Sequence, residues 1–207
     1  MPLPEPDAPA VTVSQDAAGR WFVSLLCDDS RVVPLPANGA AVGIDAGDSN
    51  IKAAMVHADQ GHVDIDYRVG TIEGLIAAGE KPFDIVLALE VVEHVADAAQ
   101  FLADCAKPLA PGGLMVVATL NRTAKAFAFA IVGAEHVLRW LPVGTHEWSK
   151  FVTPEEAKAA LSGAGVDVRD TVGVSYSPLS GRWSLGNDAG VNYMVVATRP
   201  GGRSPEA

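Results

Sequence analysis

The sequence predicts an α/β fold: an open, largely parallel sheet with helices packed on it, closed at its carboxyl-terminal edge by an antiparallel hairpin. Three observations point there. Residues 84–89 (DIVLAL) and 114–118 (LMVVA) are short, continuous apolar runs of the kind that form strands covered on both faces. Between them lies a helical pattern with Val95, Phe101, Leu102 and Leu109 as candidate buried positions, stopped and turned by Pro111-Gly112-Gly113. Strand, helix, turn and strand make one right-handed βαβ unit. The third observation is the end of the chain. A strand candidate over 166–174, a polar connection over 176–188 and a last apolar strand over 191–198 read as a hairpin.

The other elements follow in order. Residues 1–18 carry four prolines and no periodicity, which predicts a disordered tail. Residues 21–27 (WFVSLLC) read as a strand. Residues 28–39 contain Pro34 and Pro36 and show no helical pattern. Residues 40–45 (AAVGID) are the next strand, 50–59 a short helix, 63–69 (VDIDYRV) a strand with one wet face, and 71–78 a second short helix. After the βαβ unit comes a long insertion over 122–148. The helix over 153–164 then has a full set of start signals: Thr153 to cap it, Pro154 at its first position, and Glu155 and Glu156 in its first turn. The expected organisation is one domain over 19–200 with a flexible tail over 201–207.

Composition narrows the function classes. A chain of 207 residues with 49% apolar content can build one full core. A formal charge of −10 is opposite to that of a general nucleic-acid binder. Cys27 and Cys105 are too few for a disulfide framework or a zinc site, and Cys105, inside a helical pattern, reads as a small core residue. No run reaches the ~18 apolar residues of a membrane span. The start, MPLPEPDAPA, has neither the basic nor the apolar region of a secretory signal, so the expected address is the cytoplasm.

Functional residues of open α/β sheets gather at the carboxyl ends of the strands. Asp45 ends one strand, where a carboxylate can accept from both hydroxyls of a ribose or simply hold a turn or helix cap. Glu90, Glu93 and His94 follow another. A helix starting at Glu90 would put all three on one face. Two carboxylates and an imidazole could then hold a divalent ion such as Mg²⁺. Alternatively the acids favour a helix amino terminus and His94 packs, or His94 acts without metal as a general base.

The stretches FDIVLALEVVEHV and LAPGGLMVVATLNR resemble the central strands of class I S-adenosylmethionine (SAM) methyltransferases, a Rossmann-like fold with a closing antiparallel hairpin. The pieces NR-x2-K, VGAEHVLRWLPVGTH and DAGVNYM narrow the resemblance to the ubiquinone-biosynthesis O-methyltransferases, which methylate catechol or hydroxyphenol rings bearing a polyprenyl tail. It begins near Ala41 and runs to about Pro200. It implies SAM as cofactor, with Asp45, Ala46, Thr71 and Leu89 as cofactor-binding residues. It implies His94 and Glu90 as the catalytic pair, and Glu90, Glu93 and His94 as ligands of a Mg²⁺ that would acidify the ring hydroxyl and align its oxygen. His146 matches a family position near the acceptor, although a structural histidine is the simpler reading, and Asn121 and Asn192-Tyr193 could line the same pocket. Implied partners are a polyprenyl phenol and other proteins of the same biosynthesis. The insertion is apolar over 126–134 and 137–141, and it carries Phe129 and Trp140 beside Arg122, Lys125 and Arg139. It suits an anionic membrane surface on the inner face, or a lid over the site, or both.

One part departs from the family. Class I methyltransferases place a glycine-rich turn ahead of the Asp45 position, where backbone approaches the cofactor. Here that region is LLCDDSRVVPLPANGA, with one glycine, two prolines and no helical pattern. The expectation is an incomplete amino-terminal part, from a frame disturbance or from divergence, with weakened SAM binding. The alternative function is a catalytically impaired relative serving as a membrane-associated interaction protein.

Overall fold

The computed structural model describes residues 11–15, 21–25, 32–34, 41–137, 144–177 and 182–201. The chain divides into two compact units. One is Met1–Gly79 with Tyr176–Ser184, the other Glu80–Ser175 with Leu185–Ala207.

The first unit opens with three antiparallel strands, β1 (Val11–Gln15), β2 (Trp21–Leu25) and β3 (Val32–Pro34). β1 corrects the expectation of a tail at these positions. Val11, Thr12 and Val13 are β-branched, and a partner strand lies ten residues on, with Val13 opposite Val23. Pro34 is tolerated because β3 is an edge strand. The remaining tail residues 1–10, 16–18 and 202–207, and Cys27, lie outside the described residues. A second small sheet follows. β4 (Ala41–Asp45), α1 (Asp48–Gly61) and β5 (Ile65–Val69) form a parallel βαβ unit in register from Ala41 opposite Ile65 to Asp45 opposite Val69. α2 (Ile72–Ala77) comes next, capped by Thr71 Oγ1, which accepts from the Gly74 amide.

The second unit is built on a five-stranded sheet of order β6-β7-β10-β8-β9. The elements from residue 80 onward are β6 (Phe83–Leu89), a 3₁₀ turn (Val92–His94), α3 (Ala98–Ala106), β7 (Leu109–Leu120), α4 (Ala124–Ala126) running into a π-helical stretch (Phe127–Val137), a 3₁₀ turn (Trp148–Lys150), α5 (Pro154–Gly163), β8 (Asp167–Ser177), β9 (Arg182–Gly186), of which residues 182–184 are grouped with the first unit, and β10 (Asn192–Thr198). β6 and β7 run parallel, while β10 lies antiparallel between β7 and β8. This is the parallel sheet with antiparallel closure that the sequence predicts.

The core follows from the pattern. Met115, Val116, Val117 and Ala118 in β7 are buried, as are Met194, Val195 and Ala197 in β10. Leu102, Cys105 and Ala106 of α3 and Ala157 and Leu161 of α5 cover the sheet. Each large apolar side chain taken fully out of water contributes about 1.5–3 kcal/mol. Both helices have side-chain caps: Asp97 accepts from the Gln100 amide, and Thr153 with Glu156 forms a complete capping box. Pro111-Gly112-Gly113 does not end a helix. α3 stops at Ala106, and the three residues form a bend inside β7, with Gly112 at φ +79°. The bend stays paired because the Gly112 amide donates to Arg199 O and the Arg199 amide to Gly113 O, both at 3.0 Å. Leu109 is buried as the first residue of β7 rather than on a helix. The polar connection after Tyr176 contains the strand β9.

Candidate active site

In the first unit, Asp45, Ala46 and Thr71 lie together, because the parallel strands β4 and β5 end side by side and the Gly70 amide donates to Asp45 O at 2.9 Å. Asp45 Oδ1 accepts from the Gly47 amide at 2.6 Å and from Asn50 Nδ2 at 3.1 Å, so it shapes the entry to α1. Both bonds fall on one oxygen, and Oδ2 has no partner among the described residues. Ala46 and Thr71 are exposed beside it. An exposed strand end with a half-committed carboxylate fits the ribose part of a nucleoside cofactor.

In the second unit, Leu89 ends β6, and Glu90, Glu93 and His94 follow it. Glu90 is not the start of a helix. Its φ is +52°, a left-handed conformation that costs a non-glycine residue on the order of 1 kcal/mol, and its amide donates to Ala118 O at 2.9 Å. The helical turn begins only at Val92, so the expectation of one helical face holding all three side chains is corrected. Glu93 turns inward and is 3% exposed, and its Oε2 accepts from Thr119 Oγ1 at 2.6 Å while Oε1 is buried without a hydrogen-bond partner. Crowding by protein, then the Glu93 charge, pushes the Glu90 carboxyl up to about 8, although its outer surface is open to solvent. His94 is exposed, and its ring stacks on that of His146 at 6.1 Å between centroids.

This geometry bears on Mg²⁺. Among the described residues no group of three or more His, Cys, Asp or Glu side chains is placed to hold a metal ion. Glu93 is held by Thr119 with its carboxyl against that of Glu90, while the His94 ring stacks on His146, so the pair of carboxyls is not completed to a three-ligand group. The residues present therefore do not fit the metal as a Glu90, Glu93 and His94 site.

The surroundings are braced by hydrogen bonds that sequence did not foretell. Phe151 is fully buried; its ring meets His146 edge-on at 5.9 Å, and its carbonyl accepts from Arg122 Nη1 at 3.1 Å. Arg122 also pairs with Glu156. Asn121, expected to face the acceptor, instead donates from Nδ2 to Ala189 O at 2.8 Å. Tyr193, also expected there, is fully enclosed and donates to Val152 O at 2.9 Å. Burial, then the charges of Glu156 and Glu155, pushes its hydroxyl far above the ordinary tyrosine range. A cavity of about 320 Å³ opens beside the Val92–His94 turn, walled by Val92, Val95, Leu102, Phe151, Val152 and Ala160. That is at the small end of ligand sites. The one visible sequence signal for the Glu93 bond was Thr119, a polar residue inside an otherwise apolar strand.

Comparison with known proteins decides the family. Residues 25–117 match the family model of a methyltransferase domain. A ubiquinone biosynthesis O-methyltransferase of Methylobacterium sp. (strain 4-46) is 55% identical over 88% of this chain and 74% of its own length. The chain belongs to the ubiquinone biosynthesis O-methyltransferase family. Relatives of the same name from Parvibaculum lavamentivorans and Caulobacter sp. (strain K31) are each 56% identical, over 93% and 75% of this chain and 76% and 62% of theirs. The Parvibaculum match takes in more of the chain than 41–207 contains, so similarity to the O-methyltransferases reaches into the stretch ahead of Ala41. Solved structures agree on the fold. A SAM-dependent methyltransferase from Thermotoga maritima superposes with a TM-score of 0.56 at 17% identity, covering 77% of this chain and 72% of that one. The N-methyltransferase NodS from Bradyrhizobium japonicum in complex with S-adenosyl-L-homocysteine gives 0.51 at 16%, covering 78% and 67%.

Proposed function

We propose that this chain is a SAM-dependent O-methyltransferase of ubiquinone biosynthesis that methylates a polyprenylated catechol or hydroxyphenol. The observation that carries the reading is an exposed imidazole, His94, just past the carboxyl end of β6, in a chain 55% identical to relatives of that name. SAM, when bound, supplies a methyl group already activated on a sulfonium, so the protein's tasks are to bind, orient, exclude water and move one proton. Asp45 offers its free oxygen to the ribose hydroxyls, flanked by Ala46 and Thr71. Leu89, the last residue of β6, is assigned to the methionine part of the cofactor, as the family resemblance implies. His94 takes the proton from the acceptor hydroxyl, with Glu90 as a hydrogen-bonding neighbour for the acceptor's second oxygen. No step is assigned to a metal.

The insertion supports a peripheral membrane site. Phe127, Phe129 and Val132 are exposed at 45%, 64% and 41% on its π-helical stretch, and Trp148 at its far end is 41% exposed. Residues 122–150 hold four Lys or Arg against two Glu in a chain of net charge −10. Among the described residues no helix is long and apolar enough to cross a membrane. Apolar side chains with flanking cations suit the surface of an anionic bilayer, where a polyprenyl acceptor resides.

Calorimetry with S-adenosylhomocysteine on the purified chain and on Asp45→Ala tests the enzyme reading. Micromolar binding is expected, weakened at least ~10-fold by the substitution, as for the loss of a hydrogen bond to a charged group. SAM-dependent methylation of a prenylated catechol should follow. A folded chain that binds no S-adenosylhomocysteine would leave the non-catalytic, membrane-associated alternative.

A further inference from the structure

We propose that His146 is a positioning residue for His94, held for that purpose by an anchored Phe151. The proposal rests on the reading of His94 as the base. An exposed imidazole at the start of a loop samples several rotamers, and a base serves catalysis only when its nitrogen faces the proton it takes. Here the His94 ring has a neighbour. His146 lies against it with centroids 6.1 Å apart and planes inclined by 26°. On its other side His146 meets Phe151 at 5.9 Å and 76°, edge to face. Both separations fall in the range of favourable ring pairs.

Phe151 is a fixed wall. Its side chain is fully buried, its carbonyl accepts from Arg122, and its amide donates to Trp148 O at 3.1 Å. The next residue is held as firmly: the Val152 amide donates to Leu120 O at 3.2 Å, and its carbonyl accepts from the buried Tyr193 hydroxyl. The wall is thus tied to β7, β10 and the start of α5. Gly144, at φ +90°, lets the chain turn just before His146, where other residues would be strained. Three rings in a row, one locked in the core and one reaching solvent, carry the rigidity of the sheet out to the imidazole.

The test is a pair of variants, His146→Ala and His146→Phe, read by kinetics and by NMR of the histidine ring protons. The chain has five histidines, so their ring signals are assignable by substitution. His146→Ala should lower kcat roughly ten-fold while KM stays within about two-fold, and His146→Phe, which keeps a ring against His94, should restore most of kcat. In the NMR spectrum, His146→Ala should shift the His94 ring protons by removing the stacked neighbour. An unchanged kcat in the alanine variant, or a phenylalanine variant as slow as alanine, would overturn the proposal, the latter because the nitrogen rather than the ring would then matter. Unshifted His94 protons would overturn it too. Should the wild-type chain fail to methylate, the enzyme reading falls by itself, and the ring-proton shift still decides whether His146 holds His94.

Discussion

Among the described residues, two parallel βαβ units share the same local design in very different surroundings. β4-α1-β5 forms a two-stranded sheet in which every residue of β4 is only partly buried and α1 buries Ile51 alone. β6-α3-β7 has the same strand-helix-strand order, yet six consecutive residues of β7, Met115–Leu120, are buried. The difference lies beyond the units themselves. β7 has β10 on its second edge across seven residue pairs and α3 and α5 packed together over the sheet. A βαβ motif supplies local geometry, but rigidity comes from the third and fourth strands, since an isolated two-stranded sheet is marginal in water. The ends of both motifs carry candidate functional residues, so one set sits on a firm base and the other on a soft one.

Hydrogen exchange gives the sharpest test of that contrast. Amides of β7 and β10 should exchange only through global unfolding, roughly a thousand-fold or more slower than those of β4 and β5. Equal rates would break the comparison. Cavity-forming substitutions come next. In urea titrations Leu102→Ala should cost about 3–4 kcal/mol and Ile51→Ala about 2, since the thinner unit can collapse around the gap. Thr119→Val should then cost about 2 kcal/mol, because it leaves the buried Glu93 with neither oxygen satisfied. Tyr193→Phe should cost about 1 kcal/mol by deleting the bond to Val152 O, visible as a lower melting temperature.

Glu90 gives the smallest effect, and its sign is fixed by linkage. Its folded carboxyl is raised to about 8 from the ordinary value of 4.5. Between those values the unfolded chain has lost a proton that the folded chain keeps, so stability falls as pH rises through that window. Glu90→Gln cannot ionise and should melt higher than wild type at pH 8.5 but not at pH 4. The side chain is open to water, so the gain is only about a degree or two.

Much of this was legible in the sequence. β6 and β10 are continuous apolar runs, and the start of α5 spells out its capping box, so each matched its expected span within a residue or two. Asp45 was found at a strand end because period and turn signals agree there. What could not be read was set by partners far along the chain. The left-handed Glu90 depends on a hydrogen bond to Ala118, and the inward turn of Glu93 on Thr119. Pro111-Gly112-Gly113 looks like a stop locally, and only pairing with Arg199 keeps it within a strand. Val11–Gln15 was masked by the prolines before it. The triad spacing of Glu90, Glu93 and His94 suggested one helical face, which a left-handed Glu90 ahead of a 3₁₀ turn holding Glu93 and His94 does not make.

The insertion is fastened at both ends. At its start Thr123 Oγ1 donates to Gly190 O at 2.6 Å and Lys125 pairs with Asp188 at 2.5 Å; at its end Trp148 Nε1 donates back to Thr123 O at 3.2 Å. A protease that nicks the chain at an exposed site such as Phe129 would therefore produce two fragments that do not part. One keeps β6, α3 and β7, the other α5, β8 and β10, and the seven-pair ladder between β7 and β10 joins them. The nicked protein should run intact on a sizing column and fall into two pieces only in denaturant, a natural starting point for reassembling it from separately made halves.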